Sequence, residues 1–188
     1  MDESDETAAA PYAVSARTLP ARRAVVLVGH GGVPRDYPRE RLTQLRGLEG
    51  RRRATGAPPS AEELALETEL RNWPRTAASD PYQSGLEGLA VHLRARLAPA
   101  RLVLAYNEFC APSLADAVRA LAAEGMTDIV VVPSMLTPGG VHAEIEIPEI
   151  IQQLRSEHPG LSVRYAWPFT GEHLAGFFVE HLHAFDSR

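Results

Sequence analysis

The chain has a single cysteine, Cys110, and no apolar run that approaches the roughly 20 residues a membrane-spanning helix takes. One thiol cannot close an intramolecular disulfide, which excludes a secreted disulfide scaffold, and it cannot build a closed structural zinc site. Positive charge is not in excess: the net charge of -5 gives no electrostatic reason to expect nucleic acid as a partner. A G-x-G-x-x-G nucleotide motif is absent. The opening MDESDETAAAPY is acidic and has no apolar core, so it is not expected to act as a secretory signal. No membrane partner is expected, and the expected location is cytoplasmic. The 45% hydrophobic and 23% charged residues are those of an ordinary globular protein, and 188 residues suffice for one domain with its own core.

Residues 1–20 combine acids, alanines and prolines with little to bury and read as a mobile tail, leaving 21–188 as one α/β domain. Within it, Ala24-Val25-Val26-Leu27-Val28, Arg101-Leu102-Val103-Leu104-Ala105-Tyr106 and Ile129-Val130-Val131-Val132-Pro133 are short apolar runs. Such runs are what strands buried on both faces look like. A fourth run, residues 161–167, alternates and is expected nearer an edge. Helical spacing separates them: Leu86, Leu89, Ala90, Leu93 and Leu97; then Leu114, Ala117, Val118 and Leu121 behind the N-cap Ser113, closed by Gly125; then a helix from about Pro148 to His158; and finally Leu174, Phe177, Phe178 and Leu182. The β-α-β-α-β-α-β-α order predicts a four-stranded parallel sheet with helices on both faces.

Residues 33–82 interrupt this regularity with six prolines, many arginines and two helical patterns. One pattern runs from Arg39 to about Arg53, and the other starts at the capping box Ser60-Ala61-Glu62-Glu63 and stops before Pro74. So long a connection is unusual in a compact domain and is usually functional. It is expected to form a helical hairpin or lid beside the carboxyl end of the first strand.

In open parallel sheets, ligands bind beyond the carboxyl ends of the strands. His30 follows the first strand, Glu108 the second, and His142 ends the loop after the third. Two imidazoles and a carboxylate suit a borderline divalent metal. Each also has a plainer reading: His30 as a loop residue satisfied by a carbonyl, Glu108 as a cap for the helix near Ser113, and His142 as a helix cap or surface residue. Of the other histidines, His92, His158, His181 and His183 read as structural or solvated, while His173 stays open.

At these residues the sequence resembles the small class II tetrapyrrole chelatases, the CbiX-type sirohydrochlorin cobaltochelatases and ferrochelatases. Val25–Gly31 resembles the family's opening strand with its metal-binding histidine, and Leu104–Leu114 its second strand, acidic residue and proline-capped helix. Ile129–Leu136 followed by Gly140-Val141-His142 resembles its third strand and second histidine. Glu146-Ile147-Pro148-Glu149 stands where the family commonly has Asp-Ile-Pro-Glu. The resemblance covers roughly residues 22–32 and 84–185 and leaves the insertion outside.

What the resemblance implies is insertion of a divalent metal, cobalt or iron, into sirohydrochlorin, in cobalamin or siroheme biosynthesis. His30, Glu108 and His142 would be both the metal ligands and the catalytic groups. No cofactor is implied beyond the substrate metal (Co, Fe or Ni). Arg35, Arg39 and Arg75 in the insertion are candidates for holding the substrate's carboxylates. The length implies one half of a two-lobed chelatase, completed as a homodimer whose second copy covers the cleft. Two readings compete: a metal or tetrapyrrole carrier on the same fold, and, further off, a hydrolase using metal-bound water.

Overall fold

The computed structural model describes residues 22–187; the tail expected over residues 1–20 lies outside them. Eleven segments of regular structure follow one another. They are β1 (Arg23–Gly29), α1 (Arg39–Thr55), α2 (Ala61–Arg71), α3 (Pro81–Leu97), β2 (Arg101–Tyr106), α4 (Leu114–Ala123), β3 (Asp128–Pro133), a π-helical turn (His142–Glu146), α5 (Ile147–Glu157), β4 (Ser162–Tyr165) and α6 (Gly171–Asp186). All strand pairs are parallel, in the order β2-β1-β3-β4. The alternating fourth run is an edge strand, as its pattern predicts, with Val163 buried between exposed Ser162 and Arg164.

The pleat of β1 sends alternate side chains to opposite faces. Ala24, Val26 and Val28 meet Leu114, Ala117, Val118 and Leu121 of α4 and Ile147, Ile151 and Leu154 of α5. Val25 and Leu27 meet Leu86 and Ala90 of α3, together with Leu102 and Tyr106. Every residue of β1 after Arg23 is buried, which is why an unbroken apolar run was required there. Side-chain caps start the helices where the sequence offers them. Ser60, Asp80, Ser113 and Thr170 each accept from the backbone N–H three residues on. No helix among the described residues is long and apolar enough to cross a membrane.

The insertion is a helical hairpin with a small core of its own. Tyr37, Leu45, Leu66 and Leu70 are buried together, and the Trp73 ring meets the Tyr37 ring edge-on at 5.1 Å. Ser60 accepts from the Glu63 N–H as the capping box predicts, but the Glu63 carboxylate turns to Arg52 of α1 at 2.7 Å. The glutamate of the box therefore ties the two helices together.

At the amino ends of the strands, Asp128 accepts from Arg23 Nε of β1 at 2.7 Å and from Arg164 Nη2 of β4 at 2.8 Å, bridging three neighbouring strands. Burial pushes its carboxyl up, but the hydrogen bonds and charges of Arg164 and Arg23 outweigh this and hold it below the usual aspartate value. A carboxyl lowered on folding contributes stability that is present above its unfolded-state value and is lost as pH falls through its folded value. Asp128→Asn is therefore expected to cost about 0.5–1 kcal/mol at neutral pH and nothing in acid, read from urea unfolding at several pH values.

Candidate metal-handling site

The three strand ends are aligned by register, with Gly29 opposite Tyr106 and Val28 opposite Pro133. The ladder then continues beyond the strands. Asn107 N–H donates to Gly29 O at 2.9 Å, Glu108 N–H to His30 O at 2.8 Å, and Ser134 N–H to Val28 O at 2.8 Å. Main-chain bonds thus place His30 and Glu108 side by side. The approach is tight: a Cβ on Gly31, whose φ is +92°, would lie 1.8 Å from the Glu108 carbonyl oxygen. Only glycine fits there, by space and by dihedral.

The chain turns sharply after Glu108. Cys110 N–H bonds Glu108 O at 2.7 Å, closing a three-residue turn with Phe109 at φ +59°. A bulky residue at positive φ costs about 1–3 kcal/mol and persists only where its surroundings hold it. Arg75 does the holding. Its guanidinium donates to the carbonyls of Phe109, of Gly32 (2.8 Å) and of Leu70 (3.2 Å), and pairs with Asp80, the cap of α3. The Arg75 and Asp80 side chains are 5% and 2% exposed.

This placement corrects one expectation. Arg75 is not available to a substrate, because it is buried and both its Nη groups bond the framework that joins the insertion, the loops after β1 and β2, and α3. Arg35 and Arg39 are exposed on the insertion, Arg39 as the first residue of α1. Glu108 does not cap the helix after it; Ser113 does that itself. Cys110 is buried, and burial raises its thiol to about 11, so it offers no thiolate.

His142 sits neither in a loop nor at a cap. It begins a π-helical turn in which Ile147 N–H bonds His142 O, five residues back. Such turns recur at functional sites. On it His142 and Glu146 fall on one side, with His142 Nδ1 2.7 Å from Glu146 Oε2. The Asn107 amide nitrogen lies 2.6 Å from the same oxygen and 2.8 Å from His142 Nδ1. Burial pushes the Glu146 carboxyl up, but the bonds from His142 and Asn107 hold it below the usual glutamate value. A carboxylate accepts, so Nδ1 of His142 carries the proton, the Asn107 amide donates to Glu146, and Nε2 of His142 keeps its lone pair.

His30 reaches the same state by another route. Its Nδ1 lies 2.8 Å from the Gly31 carbonyl, which can only accept, so Nδ1 carries a proton and the neutral ring presents Nε2 as its lone-pair atom. Its backbone N–H donates to Tyr82 Oη at 2.7 Å. The two Nε2 atoms stand 3.1 Å apart. At that distance two lone pairs repel unless a proton or a metal ion lies between them. With metal–nitrogen bonds of about 2.0–2.1 Å, the separation corresponds to a ligand angle of about 100°, between the tetrahedral and octahedral values. Glu108 Oε2 is 3.8 Å from His30 Nε2, and the donor atoms of His30, Glu108 and His142 all lie within 4.8 Å of one another. The His30 side chain is 41% exposed, so the set is open on one side. The insertion borders it: Glu49, Glu67, Leu45 and Arg71 share a small cleft with Glu108 and Phe109.

The sequence model of the CbiX family matches residues 78–180, more than half of the chain. The chain belongs to the CbiX family. That match starts just before α3, so His30 and most of the insertion join the site through the fold. A CbiX protein of cobalamin (vitamin B12) biosynthesis from Marinobacter aquaeolei VT8 superposes with a TM-score of 0.52 at 20% identity, covering 87% of this chain and 93% of that one. This likeness bears on the fold, which it supports over nearly the whole length. The sirohydrochlorin chelatase SirB from Bacillus subtilis subspecies spizizenii, in complex with cobalt, gives a TM-score of 0.44 at 21% identity over 78% of this chain and 43% of that one, too low to carry an argument. The sirohydrochlorin cobaltochelatase of Priestia megaterium is 34% identical over 63 residues, 34% of this chain and only 20% of that protein.

Asn107 and Glu146 were passed over as functional residues at the level of sequence. The signal was the four-residue spacing of His142 and Glu146, which shares a face once the segment is helical. Two predictions follow from the geometry. Glu146→Ala is expected to weaken cobalt binding by about 10- to 100-fold, measured by titration, with the fold intact, because the tautomer of His142 is no longer fixed. Arg75→Met is expected to cost about 3–5 kcal/mol in urea unfolding, because it leaves Asp80 buried without its partner.

Proposed function

We propose that this protein inserts a divalent metal, cobalt or iron, into sirohydrochlorin, with His30, Glu108 and His142 holding the incoming ion. The observation that carries this reading is the pair of imidazole Nε2 atoms 3.1 Å apart beside the Glu108 carboxylate, at the open rim of a CbiX-family fold. The name of the Priestia megaterium cobaltochelatase points to the same substrates.

The reaction exchanges one M2+ for two pyrrole N–H protons, with no change of oxidation state. Three protein ligands, at least one well exposed, hold an ion while leaving coordination positions open to the macrocycle nitrogens. As the ion leaves, Nε2 of His30, Nε2 of His142 and the Glu108 carboxylate become free bases at the place where the two protons must go. Delivery of the metal and removal of the protons are thus done by the same atoms. Sirohydrochlorin carries eight carboxylates, and all 19 basic residues of this chain are arginines, the side chain best shaped to bind carboxylates in pairs. Arg35 and Arg39 on the insertion are the proposed contacts, joined by Arg53, whose charge reaches Glu146.

The test is anaerobic incubation of the full chain with sirohydrochlorin and Co2+ or Fe2+, followed by absorption spectroscopy. Many equivalents of metallated product per protein are expected; product that stops at one equivalent means a carrier. His142→Ala is expected to lose at least about 100-fold in rate while remaining folded, and a variant with the wild-type rate removes His142 from the metal path.

A further inference from the structure

The three candidate ligands are not fixed alike. The His30 and His142 rings each bond a partner through Nδ1, the Gly31 carbonyl in one case and Glu146 in the other. No donor among the described residues bonds the Glu108 carboxylate, and His30 Nε2, 3.8 Å away, lies beyond hydrogen-bond reach. Its aim is therefore set by the main chain of residues 107–111, which turns through Phe109 at φ +59°. Arg71, the last residue of α2, meets that loop on both sides of Glu108. Its Nη2 donates to Asn107 O at 3.3 Å and its Nη1 to Cys110 O at 3.4 Å, while its own carbonyl accepts from Ala111 N–H at 3.0 Å. Glu67, one turn earlier, accepts from Arg71 Nε at 2.9 Å and fixes the plane of the guanidinium. Arg71 and Glu108 also border the same small cleft.

We propose that Arg71 is a positioning residue of the metal site, through which the insertion sets Glu108 directly and His142 by way of Asn107 and Glu146. The inference rests on the reading that His30, Glu108 and His142 hold a metal ion. Asn107 is the junction. Its main chain is held between Gly29 O and the Arg71 guanidinium, and its side-chain amide donates to Glu146, the partner of His142. One guanidinium thus bears on two of the three ligands. The planar fork of arginine reaches two carbonyls three residues apart, whereas an ammonium is a single point and serves one of them. Each Nη bond is long and weak alone; together with the Ala111 N–H they hold the loop at both ends. Arg75 holds the middle of the same turn, at Phe109 O. Both arginines belong to the insertion, which is therefore a brace for the ligand-bearing loop.

Titration of the full chain with Co2+, read from the cobalt absorption bands, tests this in Arg71→Met, Arg71→Lys and, as a control on the exposed face of α1, Arg46→Met. Arg71→Met is expected to weaken Co2+ binding about tenfold, as loss of a group that holds a ligand does, and Arg71→Lys by less. Arg46→Met is expected to bind as the wild type does. A merely structural role lowers the urea midpoint and leaves the Co2+ affinity of the folded protein unchanged, and that result overturns the proposal. So does weaker binding of metal-free sirohydrochlorin at unchanged Co2+ affinity, which makes Arg71 a substrate contact. If Arg71→Met does not fold, Arg71→Lys decides: weaker Co2+ binding supports the proposal and wild-type affinity refutes it. A wild type that binds no Co2+ sinks the metal-holding reading and this inference together. Wild-type binding matched by both Arg71 variants sinks this inference alone.

Discussion

The backbone ladder of β1 does not end with the strand, and the site depends on that continuation. Three main-chain bonds past Gly29 and Val28 fix where His30, Glu108 and Ser134 leave the sheet, so the positions of the first two candidate ligands are set by peptide geometry rather than by side-chain packing. The contact is so close that Gly31 must be glycine, and the turn that aims Glu108 holds Phe109 at a positive φ. Such a turn persists only if something binds its carbonyl, and the buried Arg75–Asp80 pair supplies that bond while also capping α3. Strain at the ligand-bearing loop and a buried ion pair beneath it are two parts of one arrangement.

Much of this was legible in the sequence, for a physical reason. A strand buried on both faces must be apolar throughout, so β1 and β3 declare themselves; parallel strands put their carboxyl ends on one rim, so His30 and Glu108 had to be neighbours. The limits are just as physical. Burial of Arg75 depends on carbonyls from three separate segments and on the Asp80 carboxylate, and nothing in the local pattern around Pro74-Arg75-Thr76 shows that they converge. The stretch before Pro148 read as loop because proline favours a helix start, yet the chain enters α5 through a wider turn that begins at His142. The exposure of α6, none of whose residues is buried, was hidden for the opposite reason: its apolar spacing is that of a core helix, and sequence does not say whose core.

The two histidines reach the same protonation state by unlike means, and the difference bears on their roles. His30 is fixed by its own main chain, through the Gly31 carbonyl, and is the more exposed of the two; His142 is fixed by the Glu146 carboxylate, which is itself held by Asn107. A negative partner on Nδ1 raises the donor strength of Nε2 toward a cation, whereas a neutral carbonyl does so less. If both histidines hold the ion as proposed, the pair is graded, with His142 the stronger ligand and His30 the weaker, outer one. An ion held equally by all its ligands has no preferred direction of release. One held more weakly on the exposed side leaves from that side, which is where a macrocycle can approach.

An apolar groove between α3 and α6, floored by Val25, Leu27 and Leu102, meets the metal site at Ser134. Its side chain lines the upper end of the groove, and its hydroxyl lies 3.5 Å from Tyr82 Oη, the atom that accepts the His30 N–H. Tyr82 stands on the first turn of α3, the helix that forms one wall of the groove and is capped by Asp80 of the buried ion pair. Any partner that packs against α3 thus presses on the helix that positions the backbone of His30. Tyr82 and Ser134 therefore couple the groove wall to the loop that carries His30, and a shift of the first turn of α3 is felt at both.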